Sequence, residues 1–277
     1  EPCAHHASTP PCAQALIDAG VSRVVTAWVD PDRRVDGKGH KMLTDAGIAV
    51  ETEVLSQQAD EDLRGYLSRK TLGRPHVVLK QAVSADGWLG IAGEEAIVTG
   101  ELARNYGLRM RAEMDAILVG KGTVSSDDPS LSSRLPGLFD RSPHRFVLDT
   151  NAGILASSQL VQTARAVPTS LITAADRLSD ALTAAGVVRM PAERVDGGLA
   201  LAEVLEDMAA MGISTLLVEG GASVARSFLD RDLVDEVALF TSTAPLEGGN
   251  IASPLTLSTM PDRFSLRREL WFGDDHF

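Results

Sequence analysis

The sequence is poor in cysteine: its 277 residues contain two, Cys3 and Cys12. That is too few for a disulfide framework in a chain of this size, so whatever they do is local. Positive charge is also scarce. Against 38 Asp and Glu stand 26 Lys and Arg, a net charge of −12, and no basic patch breaks the pattern, which argues against phosphate backbones and anionic membranes as partners. Long apolar runs are missing. Stretches such as Ala116 to Val119 and Thr215 to Val218 fall far below the roughly 20 residues that cross a bilayer. No charged-then-apolar leader opens the chain, and there is no repeat or low-complexity tract. These absences predict a soluble, cytoplasmic protein with no membrane and no nucleic-acid partner. What is present is ample core material, 44% hydrophobic, in a chain long enough for two compact units. The chain enters mid-motif at Glu1 without an initiator Met, and residues upstream are expected to be missing.

From Ala13 to about Lys70 helix and strand patterns alternate. Helices are predicted over 13–18 and 38–45, strands over 22–28 and 48–54, and an amphipathic helix over 58–70 from Leu63 and Leu67 spaced four apart among charges. Gly73-Arg74-Pro75 ends that helix and marks a domain boundary, giving units 1–72 and 73–277. Beyond it, strands are predicted over 76–82, 116–120, 145–149, 169–173, 214–218 and 236–240. They are short, apolar and β-branched, as strands covered on both faces tend to be. A helix is predicted over about 100–113 with Thr99 as its cap, and Leu201, Val204, Leu205 and Met208 follow a helix face that Gly212 ends. Both units are therefore expected to be α/β.

Residues 1–12 read Glu-Pro-Cys-Ala-His-His-Ala-Ser-Thr-Pro-Pro-Cys, which puts two thiols near a helix start, where the dipole favours thiolates. Thiolates are good zinc ligands, and zinc deaminases of nucleobases use one His and two Cys on the metal plus a nonligand Glu. Free thiols in a leftover segment are the plain alternative, and second-layer or solvent-exposed roles are the expectation for His5 and His6. Further on, Leu79-Lys80-Gln81-Ala82-Val83-Ser84-Ala85-Asp86-Gly87 is a strand running into a turn whose glycine can take positive φ. The strand Ala116–Gly120 opens on the polar run Gly122-Thr123-Val124-Ser125-Ser126-Asp127-Asp128-Pro129-Ser130-Leu131-Ser132-Ser133-Arg134, placed where ligands collect at the carboxyl edge of an open α/β sheet. Arg145 to Thr150 repeats the strand-then-polar-loop pattern. Val218-Glu219-Gly220-Gly221-Ala222 joins a strand to a helix through two glycines that let phosphate oxygens approach the free amides of the helix start.

Together these segments make the chain resemble the bifunctional deaminase/reductases of riboflavin biosynthesis. The resemblance implies a partial cytidine-deaminase-like α/β domain followed by a dihydrofolate-reductase-like α/β domain, with NADPH as cofactor and a pyrimidine ribose-phosphate as the small-molecule substrate. It assigns Cys3 and Cys12 as zinc ligands, while the segment carrying the third ligand and the catalytic Glu has no counterpart here. Deamination by the chain as it stands is not expected, and zinc is expected only if upstream residues complete the site. Lys80 would face the substrate, and Lys80, Asp127 and Glu219 would polarise the sugar or deliver a proton. Arg111, Leu131, Arg134 and Glu219 would hold the substrate, Arg being suited to a phosphate by its planar fork. Ala82, Thr123, Asp127, Thr150, Gly220, Gly221 and Ala222 would meet the cofactor. Where the family commonly has Ser and Trp, this chain has Glu95 and Ile97, at positions that would contact substrate and cofactor respectively. Plainer readings make Lys80 an exposed strand residue, Arg111 a surface partner of Glu113 or Asp115, and Asp127 a turn cap. The preference for NADPH over NADH, and a homo-oligomer built as a dimer or tetramer, likewise rest on the resemblance. The competing functions are a protein that is chiefly a zinc deaminase and a silent NADPH-binding module.

Overall fold

The strand Ala116–Gly120 is buried at every position, which an apolar run achieves only when both faces of its sheet are covered. The computed structural model describes residues 1–6, 9–94 and 96–277, and shows how that cover is built. The chain divides into two compact units, Glu1–Arg74 and Pro75–Phe277. Both are α/β. Among the described residues no helix is long and apolar enough to cross a membrane.

The first unit runs α1 (Cys12–Asp18), β1 (Arg23–Val25), α2 (Lys38–Asp45), β2 (Ala49–Glu51) and α3 (Ser56–Thr71). The two strands are parallel, and Ala13, Leu43 and Ile48 form the core beside them. Each strand is three residues long, shorter than its apolar pattern predicts, and Val25 is left 47% exposed. α3 buries a face other than the one its leucines predict: Leu63 is exposed, and the buried positions are Gly65 and Ser68. The chain start is clamped to α2, because the Glu1 carboxylate accepts the amides of Asp30, Gly37 and Gly39. A Cβ at Gly39 would stand 1.6 Å from the Pro2 carbonyl oxygen.

The second unit begins with β3 (His76–Val83) and β4 (Trp88–Gly90), then α4 (Glu101–Glu113), β5 (Ala116–Gly120), α5 (Lys121–Asp127), β6 (His144–Leu148), α6 (Gln159–Gln162) and β7 (Thr169–Thr173). It continues with α7 (Asp180–Ala185), β8 (Val188–Pro191), the β9 (Arg194–Val195) and β10 (Gly198–Leu199) ribbon, and α8 (Leu201–Ala210). β11 (Thr215–Val218), α9 (Ala222–Asp230), β12 (Glu236–Thr241), β13 (Ile251–Ala252), β14 (Trp271–Phe272) and β15 (Asp275–His276) complete it. Nine strands share one sheet in the order β14-β15-β12-β3-β11-β5-β6-β7-β8. From β12 to β8 every neighbouring pair is parallel, and the β14–β15 hairpin adds an antiparallel edge.

Side chains alternate between the two faces, as strand geometry requires. Ala116 and Leu118 enter one core with Val204, Leu205 and Met208 of α8 and Ala225 and Phe228 of α9. Ile117 and Val119 enter the other with Ala103 and Met110 of α4 and Val124 of α5. Complete burial of Leu205 or Met208 stabilises the unit by roughly 1.5–3 kcal/mol each. The α8 helix follows its predicted face, and Gly212 after it takes φ +98°. Thr99, however, does not cap α4. The N-cap is Gly100, with no side-chain cap of its own, and its amide donates to the Asp275 carboxylate at 2.6 Å, 175 residues away.

Candidate active site

Where neighbouring parallel strands send their helices to opposite faces, a crevice opens at their carboxyl ends. β5 and β11 are such neighbours. The helix after β5 packs into one core through Val124, and the helix after β11 packs into the other through Ala225 and Phe228. Glycines let the crevice walls close. A Cβ on Gly220 would meet Val224 Cβ at 2.6 Å, and one on Gly120 would meet Val224 Cγ2 at 2.7 Å. A Cβ on Gly221 would lie 3.7 Å from Thr123 Oγ1, so Thr123 and the start of α9 face one another. Gly221 caps α9 in extended conformation without a side-chain cap bond, which leaves the first amides and the positive helix end open to an anion. These features fit the phosphates of a dinucleotide.

Glu219 follows β11, and its amide donates to Leu118 O at 3.0 Å. Its carboxylate accepts two bonds from Arg111 of α4, Nε to Oε1 and Nη2 to Oε2, both 2.8 Å. The two side chains are 11% and 15% exposed. Arg111 therefore pairs across 108 residues; the helix-surface partners considered from sequence go elsewhere, Glu113 to Arg109 and Asp115 to the amides of Ser214 and Thr215. Burial works against the Glu219 carboxylate, but the charge and hydrogen bonds of Arg111, with Lys80 behind them, hold its pKa down at about 2.

Lys80 belongs to β3, which pairs with β11 at Leu79 and Val218, so Lys80 and Glu219 follow the same register step. Its ammonium lies 5.6 Å from the Phe240 ring centroid, and its stem passes Gly107 of α4. Burial pushes the ammonium pKa below its ordinary value and Arg111 adds to that, while Glu219 pulls it back up. Lys80 is thus a partly buried cation and not an exposed strand residue.

The loop after α5 closes the other side. Leu131 is buried with φ +54°. Ser132 O lies 3.5 Å from Arg111 Nη1, and the hydroxyl of Ser133 donates to Leu108 O on α4 at 3.3 Å. Arg134 comes next and is exposed. The structure thereby brings Lys80, Arg111 and Glu219 together and sets Thr123 against the start of α9 at Gly221, while Leu131 is packed into the core that holds Met110 and Val124 and Arg134 lies exposed in the loop beyond it. Asp127 is exposed at the end of α5 and joins none of these contacts among the described residues. Ala82 is partly buried toward the end of β3, and Thr150 follows β6, its carbonyl taken by Thr173 Oγ1 and Ala174 N. Ile97 is 68% exposed. Glu95 lies outside the described residues. Arg145, fully buried near the start of β6, is marked by no motif in the sequence.

In the first unit the Cys12 amide points at Cys3 Sγ, 3.4 Å away, and hydrogen bonds from Cys12 lower the Cys3 pKa. Among the described residues no group of three or more His, Cys, Asp or Glu is placed to hold a metal. Two thiols alone do not make the closed set of four that zinc takes.

Comparison with known proteins identifies relatives of the whole chain. Residues 75–259 match the family described as RibD C-terminal domain. The chain is 40% identical over 261 residues to the riboflavin biosynthesis protein RibD of Bacillus amyloliquefaciens, covering 92% of this chain and 68% of that one. It is 37% identical to the Haemophilus influenzae protein of the same name, covering 87% and 66%. The chain thus spans about two thirds of these relatives. Among solved structures, Acinetobacter baumannii RibD superposes with a TM-score of 0.85 at 29% identity, covering all of this chain and 77% of that one. A Thermotoga maritima protein, described as a diaminohydroxyphosphoribosylaminopyrimidine deaminase/5-amino-6-(5-phosphoribosylamino)uracil reductase, gives 0.84 at 28% identity, covering 100% and 76%. With the family match spanning most of the chain and the ion-paired crevice in place, the chain belongs to the RibD family of riboflavin-biosynthesis proteins.

Proposed function

We propose that the chain reduces 5-amino-6-(5-phosphoribosylamino)uracil to its ribitylamino product in riboflavin biosynthesis, with NADPH as hydride donor. The observation that carries this reading is the Arg111–Glu219 pair with Lys80, set beside the glycine-opened start of α9. When bound, the nicotinamide supplies the hydride to the sugar C1. The C1–ring-oxygen bond breaks, and the oxygen takes a proton to become a hydroxyl.

The residues divide the remaining work. With its pKa near 2, Glu219 is ionised at neutral pH and has no proton to give. It orients Arg111 and keeps Lys80 charged. Lys80, whose ammonium is made more acidic by burial, is the group that hands the proton to the ring oxygen. Lys80 and Arg111 against Glu219 leave one net positive charge, and exposed Arg134 adds another, in a chain of net charge −12. That local excess attracts the sugar phosphate, with Arg134 as its grip and Leu131 as the apolar wall. Thr123 and the amides of α9 hold the dinucleotide phosphates, and Ala82, Asp127 and Thr150 border the cofactor. No deamination step is assigned to Cys3 and Cys12, because the metal set is incomplete among the described residues. A cytoplasmic homo-oligomer, dimer or tetramer, completes the reading on the family resemblance.

The test is NADPH absorbance with the aminouracil phosphate and, in parallel, with its undeaminated precursor. Oxidation with the aminouracil alone is expected, and no oxidation with either compound refutes the reading. Arg134→Ala is expected to raise the substrate KM at least about tenfold, and an unchanged KM removes Arg134 from the site.

A further inference from the structure

Arg145 lies on β6 with none of its surface exposed, and no carboxylate pairs with it among the described residues. Its guanidinium donates four hydrogen bonds: Nη1 to Ser130 O at 2.9 Å and Thr163 Oγ1 at 2.8 Å, Nη2 to Leu160 O at 3.0 Å and Val167 O at 2.7 Å. Nε has no partner. A buried charge answered only by neutral dipoles is costly, and an apolar side chain of similar volume would fill the same space at less expense. The arrangement makes sense through what it holds.

Three of the acceptors belong to the segment between β6 and β7: Leu160 in α6, Thr163 at its C-terminal cap and Val167 just before β7. The fourth, Ser130 O, belongs to the loop after α5. That carbonyl shares its peptide with Leu131, a buried residue at φ +54°, in a region that non-glycine residues adopt only under outside constraint. Ser132 and Ser133 then reach α4, through Arg111 and Leu108, and Arg134 follows.

We propose that Arg145 is a positioning residue for the substrate-side loop: from inside the core it pins the Ser130 carbonyl and so holds the segment that carries Leu131 and Arg134 against Arg111, the partner of Glu219. The role of the loop rests on the reductase reading above. The dinucleotide side, built on Gly120, Thr123 and Gly220, makes no use of this guanidinium, which gives the proposal its signature.

The test uses the full chain carrying Arg145→Lys, with Arg145→Met beside it. It reads substrate KM, NADPH Kd by fluorescence, and amide hydrogen exchange over residues 129–135 and 220–226. The lysine keeps the charge but lacks the planar fork. We expect its substrate KM to rise at least about tenfold while NADPH Kd stays within about twofold, with faster exchange over 129–135 only. KM and Kd moving together, or neither KM nor loop exchange moving, overturns the proposal. Should the Arg145 variants not fold, Thr163→Val removes one acceptor and leaves the rest. It is expected to raise KM about threefold at constant Kd, and no change overturns the proposal. If the unmodified chain oxidises no NADPH with the aminouracil, the functional reading fails, and loop exchange alone decides the clamp.

Discussion

Replacing Glu219 with Gln changes no volume and removes one charge, which makes it the sharpest probe of the crevice. In the native chain two carboxylate oxygens accept the Arg111 guanidinium at 2.8 Å each, with both side chains largely buried. The variant turns an NH2 toward that guanidinium and leaves Arg111 and Lys80 as neighbouring cations with no counter-charge. Breaking a buried pair by removing one partner costs about 3–5 kcal/mol. In a unit of this length each kcal/mol lowers Tm by about 2–4 °C, so a fall of roughly 10 °C is expected in a thermal scan. Glu219 is also the group that pulls the Lys80 pKa upward, so the alkaline limb of the kcat profile moves to lower pH. Arg111→Met alone is similarly damaging, but in the double variant the loss is smaller than the sum, because the unpaired guanidinium is gone and only Lys80 still lacks its counter-charge. An unchanged Tm together with an unmoved alkaline limb would falsify the electrostatic argument.

The acid limb of stability carries the same signature. The Glu219 carboxyl stands at about 2 against an ordinary 4.5, so its contribution is complete above pH 4.5 and is lost as pH falls from 4.5 to 2. At 1.36 kcal/mol per unit it amounts to about 3 kcal/mol, and urea titrations of Glu219→Gln should lack that segment. Gly220→Ala places a Cβ 2.6 Å from Val224 Cβ, a backbone-anchored neighbour that cannot swing away. It is expected to destabilise by about 1–3 kcal/mol and to weaken NADPH binding in a fluorescence titration. Gly221→Ala, whose Cβ meets Thr123 Oγ1 at an ordinary 3.7 Å, should lose no more than the roughly 0.5–1 kcal/mol that alanine costs at an N-cap; a Tm loss as large as that of Gly220→Ala would contradict the packing argument. Asp275→Ala removes the acceptor of the Gly100 amide, and a loss of about 1 kcal/mol is expected by chemical denaturation.

Much of the second unit was legible because its strands are apolar enough to need cover on both faces, and because Leu201, Val204, Leu205 and Met208 repeat at helical spacing. The boundaries of β5 and β7 came out as predicted for the same reason. What could not be read were relations between distant segments. Arg111 was expected at the substrate through the resemblance, but its partner was not legible: the plainer reading paired it with Glu113 or Asp115, whereas β11 brings Glu219 against it. Thr99 looked like the cap of α4 because local pattern cannot show a carboxylate arriving from residue 275. Nothing about a leucine announces the left-handed backbone at Leu131. Of the candidate site, the glycine pair before α9 was visible from motif and helix physics alone. The assignment of Arg134 and Leu131 came only through the family resemblance, which spacing could not have supplied.

The central place of β3 has a consequence for how the protein is made. The strand that carries Lys80 emerges first in its unit, yet its neighbours on either side, β11 and β12, begin at Thr215 and Glu236. At translation rates of about 5–20 residues per second, it waits roughly ten seconds with both edges unsatisfied. A nascent chain halted before Thr215 would present that apolar ribbon to chaperones or to other copies of itself. Trimming the gene from its 3′ end would therefore destroy the middle of the sheet, whereas the β7–β8 margin, already synthesised, would persist only as a fragment without a hub.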